Sequence, residues 1–430
     1  MNWRYTIFLL LLGLCAGRLG AQSTDPETIH VDTVMVFGNE KTRDEVILRE
    51  IPFQFPADLT SDDLQLIQNR LYNLFLFRRL QMALQPLQDG RQALLVIVDE
   101  LWYIYPVPLL FTNDREWDKL SYGFVVTHYN FRGRHERLTA GGWLGYDPGF
   151  ILDYRNPWLG RNARLILEVG FFLRRIANKI EPFDEHHLGA RIGIGRKFTL
   201  NFSGKLAVEL RRIGLPAQAA HYSFSGTDRD LAPKASLELR YDTRDLYEFP
   251  SRGLLLDVIL TRNGFTRRQA NFWRLESDTR IYLPLHSRLT LAARNFGQFN
   301  HGPLPIYDRI YIGYAERIRG YFNRVMSDEN LLLHNLELRY SLLPIHYFSV
   351  QDQKLLSSLT ESLRFGISLS LFVDSGIVWN DASQLALKRY FTGYGVGLHI
   401  FLPYVQLLRL NYARNDRGGS EWILEGGVAF

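Results

Sequence analysis

Cysteine is nearly absent from this chain, and the single one, Cys15, falls within the first 21 residues. A disulfide framework, thiol catalysis and a cysteine-ligated metal are therefore all excluded downstream of it. Long apolar runs are missing too: after residue 21 no stretch is apolar for the roughly 18 to 20 residues that a membrane-spanning helix needs. Charge of one sign is scarce, because 50 Lys and Arg against 45 Asp and Glu give a formal net charge of only +5, spread along the chain. So small an excess makes no nucleic-acid footprint. Catalytic signatures are also wanting, with no glycine-rich phosphate loop, no G-x-S-x-G and no H-E-x-x-H, so neither an enzyme nor a cofactor is expected. The adjacent His186 and His187 read as a solvated strand end beside an extracellular loop, not as a metal site.

What is present begins with an export signal. Arg4 precedes an apolar stretch from Ile7 to Cys15, and small residues follow to Leu19-Gly20-Ala21, which predicts a signal peptide over residues 1–21. Leu14 before Cys15 argues against a lipoprotein. Removing the leader also removes Arg4 and Arg18 and lowers the net charge from +5 to +3. Aromatic residues make up 13% of the chain and there are 34 glycines, which in an exported protein fits a barrel whose lipid face is apolar only at every second residue.

Residues 22–100 are predicted to form a small periplasmic α/β domain. A strand from Ile29 to Phe37 stops at Gly38-Asn39, and Thr42 with Glu45 predicts a capping box opening a helix that runs to about Glu50. A second helix begins near Thr60 or Ser61 and sets Leu64, Ile67, Leu71 and Leu74 on one face. Two strands follow, with Leu80, Met82 and Leu84 alternating in the first and Leu94, Val96 and Val98 in the second, joined by an Asp89-Gly90 turn. This order, with GNEKT after the first strand, LFLFRRL after the second helix and VIVDE at the end, resembles a POTRA domain. The resemblance implies that the domain binds incoming chains by strand addition at a sheet edge.

From residue 101 to 430 the hydrophobic period is two. Leu165, Leu167, Val169, Phe171 and Leu173 share one face of a segment whose other face carries Glu168, Gly170 and Arg174. Leu206, Val208 and Leu210 likewise oppose Lys205, Glu209 and Arg211, and Leu237, Leu239 and Tyr241 oppose Glu238, Arg240 and Asp242. One face suits lipid and the other water. Sixteen such segments are predicted, at 102–112, 118–129, 135–146, 149–156, 162–175, 185–197, 199–212, 234–243, 252–263, 269–283, 287–299, 329–342, 362–374, 390–402, 404–413 and 420–430. The number is even, as in bacterial single-chain barrels. With both ends of the barrel in the periplasm, the long connections 213–231 and 300–328 fall outside. Connection 343–361, with Leu355, Leu356 and Leu359, faces inward, is unusually long and suits a short helix. The last segment holds Trp422, Val428 and Phe430, an aromatic ending of the kind read as a C-terminal assembly signal, although Gly426 and Gly427 depart from the usual pattern.

Within 300–328 the core Arg317-Ile318-Arg319-Gly320-Tyr321 resembles the [V/I]RG[F/Y] motif of the outer-membrane assembly and translocation superfamily, which includes BamA, TamA, bacterial surface antigens and the two-partner secretion transporters. A bare Arg-Gly-Tyr suits any surface turn. Here NLELRY at 335–340, FVDSG at 372–376, GYGVGLHIFLP at 393–403, HYNFRGR and DYRNPWL also match family patterns. The resemblance implies a loop folded back into the barrel, with Arg319 on lumen acids, Gly320 at a tight turn and Tyr321 packed beside it. Parity supplies the acids independently. Glu337 lies opposite Leu336 and Leu338, and Asp374 opposite Leu371 and Val373, so both carboxylates are predicted to face the lumen.

The fold class expected is thus a 16-stranded transmembrane antiparallel β-barrel in the bacterial outer membrane behind one periplasmic POTRA domain. The function implied is insertion of client proteins through a lateral seam, with a two-partner-type secretion pore or a passive channel or surface antigen as alternatives. Implied partners are unfolded outer-membrane or secreted polypeptides, outer-membrane lipids and accessory lipoproteins, with no nucleic acid. Two-partner transporters typically carry two POTRA domains and a plug helix, which this sequence does not display.

Overall fold

The structure, a computed structural model, describes residues 28–112, 116–160, 163–313, 316–322, 324–348, 363–402 and 407–426. Its first unit contains β1 (Ile29–Val31), β2 (Thr33–Phe37), α1 (Asp44–Leu48), β3 (Ala57–Leu59), α2 (Ser61–Tyr72), β4 (Phe77–Pro86) and β5 (Gln92–Glu100). β5 lies at the centre of a three-stranded sheet, parallel to β2 and antiparallel to β4. The expected strand 29–37 is broken at Asp32, whose carboxylate accepts the Gln92 N–H at 2.7 Å, and β1 turns away to pair with β3. Thr60 caps α2 in a reciprocal box with Asp63, and Ile67 and Leu71 bury against Leu80, Leu94, Val96 and Val98. The capping box expected at Thr42 does not form. Helix α1 is capped by Arg43 without a side-chain bond, and the Thr42 hydroxyl is engaged elsewhere: it lies 2.9 Å from the Tyr103 hydroxyl and accepts the Asn130 amide at 2.9 Å.

All sixteen segments of the second unit are strands: β6 (Ile104–Thr112), β7 (Leu120–Phe131), β8 (Glu136–Gly145), β9 (Gly149–Leu159), β10 (Leu165–Ala177), β11 (Asp184–Lys197), β12 (Phe202–Gly214), β13 (Arg229–Asp242), β14 (Gly253–Asn263), β15 (Phe272–His286) and β16 (Leu289–His301), then β19 (Asn330–Phe348), β20 (Leu363–Trp379), β21 (Phe391–Phe401), β22 (Leu408–Asn415) and β23 (Ser420–Gly426). They form one antiparallel ladder in sequence order, and a short hairpin of β17 (Ile310–Ile312) and β18 (Met326–Asp328) belongs to the connection between β16 and β19. Among the described residues no register joins β6 to β23, the two ends of the ladder.

The period-two pattern has the expected outcome. Val169, Leu173, Ile194, Leu206, Val208, Leu371 and Leu424 are exposed on the outside, as a lipid-facing band requires, while the opposite parity turns charge inward. In hydrocarbon every backbone N–H and C=O must be paired within the protein, and the ladder supplies that pairing between neighbouring strands but not at its two edges. The inward connection 343–361 is shorter than expected, since β19 continues to Phe348; its remainder and the residues Val428 and Phe430 lie outside the described residues.

Two family-like segments meet at the junction of the units. GNEKT, after β2, packs on the β7–β8 turn within HYNFRGR: the Arg43 N–H donates to the Gly133 carbonyl at 2.9 Å, and a Cβ on Gly133 would lie 2.1 Å from the Lys41 carbonyl oxygen. The Glu100 carboxylate accepts the N–H groups of Lys41 and Thr42 at 3.0 and 2.6 Å. Farther along the rim the Arg70 guanidinium donates to Asn201 at 3.0 Å, and the Asn73 side chain bonds Asp245 and Tyr247 at 2.9 and 2.8 Å. The domain is thus fastened beneath the turns of β7–β8, β11–β12 and β13–β14.

Candidate functional site

The connection from β16 to β19 folds into the barrel. Ile310, Ile312, Ile318, Tyr321 and Met326 bury against Leu331 and Leu333 of the wall, forming an apolar cluster inside the lumen. Burying this face offsets the loss of freedom of a long loop. Its base is held across the lumen by Arg211 on Asp308 at 2.6 Å and by the Tyr307 hydroxyl donating to Asp230 at 2.7 Å.

At the tip, Arg319 is 4% exposed and its guanidinium is fully committed. Nε and Nη2 donate to the two oxygens of Asp374 at 2.7 and 2.8 Å, a bidentate fork, while Nη1 donates to Glu337 at 2.8 Å. The Arg319 backbone N–H adds a bond to Asp374 at 3.1 Å, and the guanidinium stacks over Phe372 with its central carbon 3.6 Å from the ring centre. Each acid has a further partner: Asn335 donates to Asp374 at 2.9 Å and Arg339 to Glu337 at 2.7 Å. Burial opposes the positive charge on Arg319, but the two carboxylates outweigh it and hold the group protonated far above its ordinary range.

Gly320 sits at φ +98°, in the left-handed region where a side chain is strained, so the tight turn requires glycine. Its N–H and that of Phe322 both donate to Glu421 of β23, at 2.7 and 2.9 Å, and Asn415 donates to its carbonyl at 2.7 Å. The Tyr321 hydroxyl donates to Asp416, its ring meets Phe391 edge-on at 5.3 Å, and burial together with that carboxylate pushes the phenol up to about 12. Arg317 pairs with Glu425, also on β23, which accepts Arg409 at 3.1 Å. A Cβ on Gly393 would lie 1.7 Å from the Arg319 carbonyl oxygen, so the first glycine of GYGVG makes room for the tip.

The structure brings Arg319, Gly320, Tyr321, Glu337 and Asp374 together at the tip of the loop. Sequence reasoning missed Arg317, Asn415, Asp416, Glu421 and Glu425. Period two places the two glutamates on the lumen face of β23, opposite Trp422 and Leu424, but cannot say that a loop more than a hundred residues earlier covers them. His187 departs from its expectation. It is buried, not solvated, with its Nε2 2.7 Å from Glu185, because its parity points it into the lumen. No group of three or more metal-ligating residues occurs among the described residues.

A sixteen-strand barrel with a charged lumen, an apolar outside and an interior loop pinned to its wall defines an outer-membrane β-barrel of the assembly and translocation class. Residues 130–422 match the Omp85 superfamily domain, and the chain belongs to that superfamily. Among solved structures it is similar to BamA from Haemophilus ducreyi lacking POTRA domains 1-3, at 18% identity and TM-score 0.56 over 93% of this chain and 84% of that one. It is also similar to CdiB from Escherichia coli, at 13% identity and TM-score 0.58 over 92% and 75%, and to CdiB from Acinetobacter baumannii, at 15% and 0.53 over 92% and 73%. Each covers more of the chain than the barrel alone supplies, so the likeness in fold takes in the small domain. No curated protein sequence matches the chain.

Proposed function

We propose that this protein assembles other polypeptides into the outer membrane, receiving them on the small domain, which we read as a single periplasmic POTRA domain over residues 22–100 behind a cleaved leader of residues 1–21. Client strands enter at the seam between β6 and β23. The observation that carries this reading is the ladder itself, which pairs every barrel strand with its neighbours and stops at two edges that, among the described residues, are not paired to each other. An exposed edge is a template for another strand, and an arriving client that pairs there satisfies its backbone groups before it meets lipid. No nucleotide is needed, because folding of the client supplies the free energy. Arg319, Gly320 and Tyr321 fix the loop, and through Glu421 and Glu425 the loop holds β23 in place while the seam works.

Cysteine pairs placed between residues 104–110 and 420–426 test the reading, and the single native cysteine in the leader offers no competitor. Crosslinking is expected to stop client insertion and reduction to restore it; undiminished insertion by the crosslinked form overturns the proposal. Likeness in fold to CdiB supports a second reading, passage of a secreted polypeptide through the lumen. That reading requires the apolar cluster of the interior loop to leave the barrel, so it predicts open conductance only when the loop is displaced.

A further inference from the structure

β6 carries two prolines two residues apart, Pro106 and Pro108, in unbroken register with β7. Proline has no N–H to give to a ladder, so within sheets it is confined to edges, bulges and strand ends. Elsewhere in the barrel that rule is followed: Pro157 and Pro344 lie where the register shifts, Pro284 borders such a shift, and Pro233 stands one residue before the β13–β14 register begins. Among the described residues only β6 places two prolines within one unbroken register; Pro233 also pairs within the β12–β13 register, opposite Leu210, but singly.

The direction they face follows from one bond. Tyr129 donates its N–H to the Tyr103 carbonyl at 2.8 Å, so odd-numbered residues of β6 exchange bonds with β7. Antiparallel bonding alternates, so the backbone groups of Ile104, Pro106, Pro108, Leu110 and Thr112 point to the free edge. On β23 the Asn415 N–H donates to the Gly419 carbonyl at 2.9 Å, which turns odd residues toward β22 and the N–H groups of Ser420, Trp422, Leu424 and Gly426 toward the seam. β23 thus offers both donors and acceptors at every seam position, whereas the central part of β6 offers acceptors alone. The two edges also differ in how they are held, since β23 is tied to the interior loop through Glu421 and Glu425.

We infer that Pro106 and Pro108 make the free edge of β6 an acceptor-only docking edge, which takes an extended segment of a client polypeptide through its carbonyl oxygens and cannot zip fully onto β23. An incoming strand supplies N–H donors at alternate residues and receives none back in the middle of the edge. Across Pro106 and Pro108 it is held by half of a normal ladder, and it is released without breaking a complete one. This deepens the seam reading and rests on it.

The double substitution Pro106→Val and Pro108→Val restores the two donors without changing the lipid or lumen character of the strand. Amide hydrogen exchange of the full chain in detergent micelles, without any client, is the first readout. Residues 104–110 and 422–426 are expected to exchange roughly ten to thirty times more slowly, the factor that one to two net hydrogen bonds supply. Retained heat-modifiable migration shows that the barrel is folded, and each single substitution, which restores one donor, is expected to give part of the slowing should the double variant fail to insert. Unchanged exchange in folded variants overturns the assignment to the prolines. Insertion of a purified outer-membrane protein into liposomes containing the variant is the second readout, and it is expected to fall in step with the slowed exchange. Slowed exchange with undiminished insertion leaves the prolines as determinants of the seam but overturns the docking role and the seam reading with it.

Discussion

The barrel has two lumen walls made from the same alternating sequence pattern, and they are used differently. On β9 to β13, away from Arg211 and Asp230 that hold the base of the loop, inward charges pair with neighbours in the wall: Arg191 with Asp153 at 2.8 Å, Arg155 with Glu168 at 3.1 Å, Lys205 with Glu238 at 2.7 Å. These groups keep part of their surface in water. On β19 to β22 the inward charges are roofed by the loop, and Glu337 and Asp374 are fully buried with Arg319 and Arg339. Away from the buried Glu185, His187 and Arg211 the first wall is a solvated surface; the second is an interior. A buried ion network of this kind is poor at adding stability, since desolvation cancels much of the attraction, but removing one member leaves the others stranded. Its use is to give the loop one permitted position.

Breaking the covered wall should have the largest effect. Arg319→Ala leaves two buried carboxylates facing each other without their shared cation, at a cost of about 3–5 kcal/mol. We expect the variant to insert as a barrel, to lose heat resistance in gel migration and to lose client assembly, and Asp374→Ala to do the same; normal assembly by both defeats the positioning role of the loop. The double substitution Arg319→Met with Asp374→Asn, which removes one charge of each sign and leaves Glu337 with Arg339, sharpens the point. It should recover most of the lost heat resistance while client assembly stays abolished, which separates loop position from stability.

An intermediate effect is expected where the small domain covers the first wall from beneath. His135, in the β7–β8 turn, is pushed down to about 3 by burial and then by Arg49, Lys197 and Arg155. A histidine whose folded value lies below its unfolded value of 6.5 contributes nothing unfavourable above pH 6.5. As pH falls from there toward 3, the unfolded chain takes up a proton that the folded one refuses, and stability is lost. By pH 5.5 the loss should reach about 1.4 kcal/mol, one unit of separation. Thermal unfolding followed from pH 8 to pH 5.5 checks this, and His135→Asn should flatten the slope; an equal slope in the variant removes His135 from the account.

Period two made most of this legible. It located all sixteen strands and put Glu337 and Asp374 on the lumen face, because in a barrel a side chain's face follows from its parity alone. The small domain was legible from its caps and turns, except where a tertiary partner outcompeted a local one: Thr42 looked like a helix cap but bonds Tyr103 and Asn130 across the junction. The partners of the loop on β22 and β23 were not legible. Asn415, Asp416, Glu421 and Glu425 are ordinary polar residues by pattern, and what they meet depends on where a distant loop folds. His187 was misread for a different reason, since it follows Glu185 and His186 at a strand end, while its parity with Gly189 and Arg191 points it into the lumen.

The smallest effect should come from the open wall, and it completes the test. Lys205 sits between Glu168 and Glu238, yet Glu168 keeps Arg155 as a second cation when the lysine is removed. Partly solvated pairs of this kind are worth about 0–1 kcal/mol. Lys205→Ala should therefore shift the unfolding midpoint slightly, and the shift should shrink further as salt is raised, since screening acts on charges that water can reach. The Arg319→Ala defect should be nearly insensitive to salt. A loss at Lys205 as large as that at Arg319, or an equal salt response at both, would mean that the two walls do not differ as their burial says and that the loop does not create an interior.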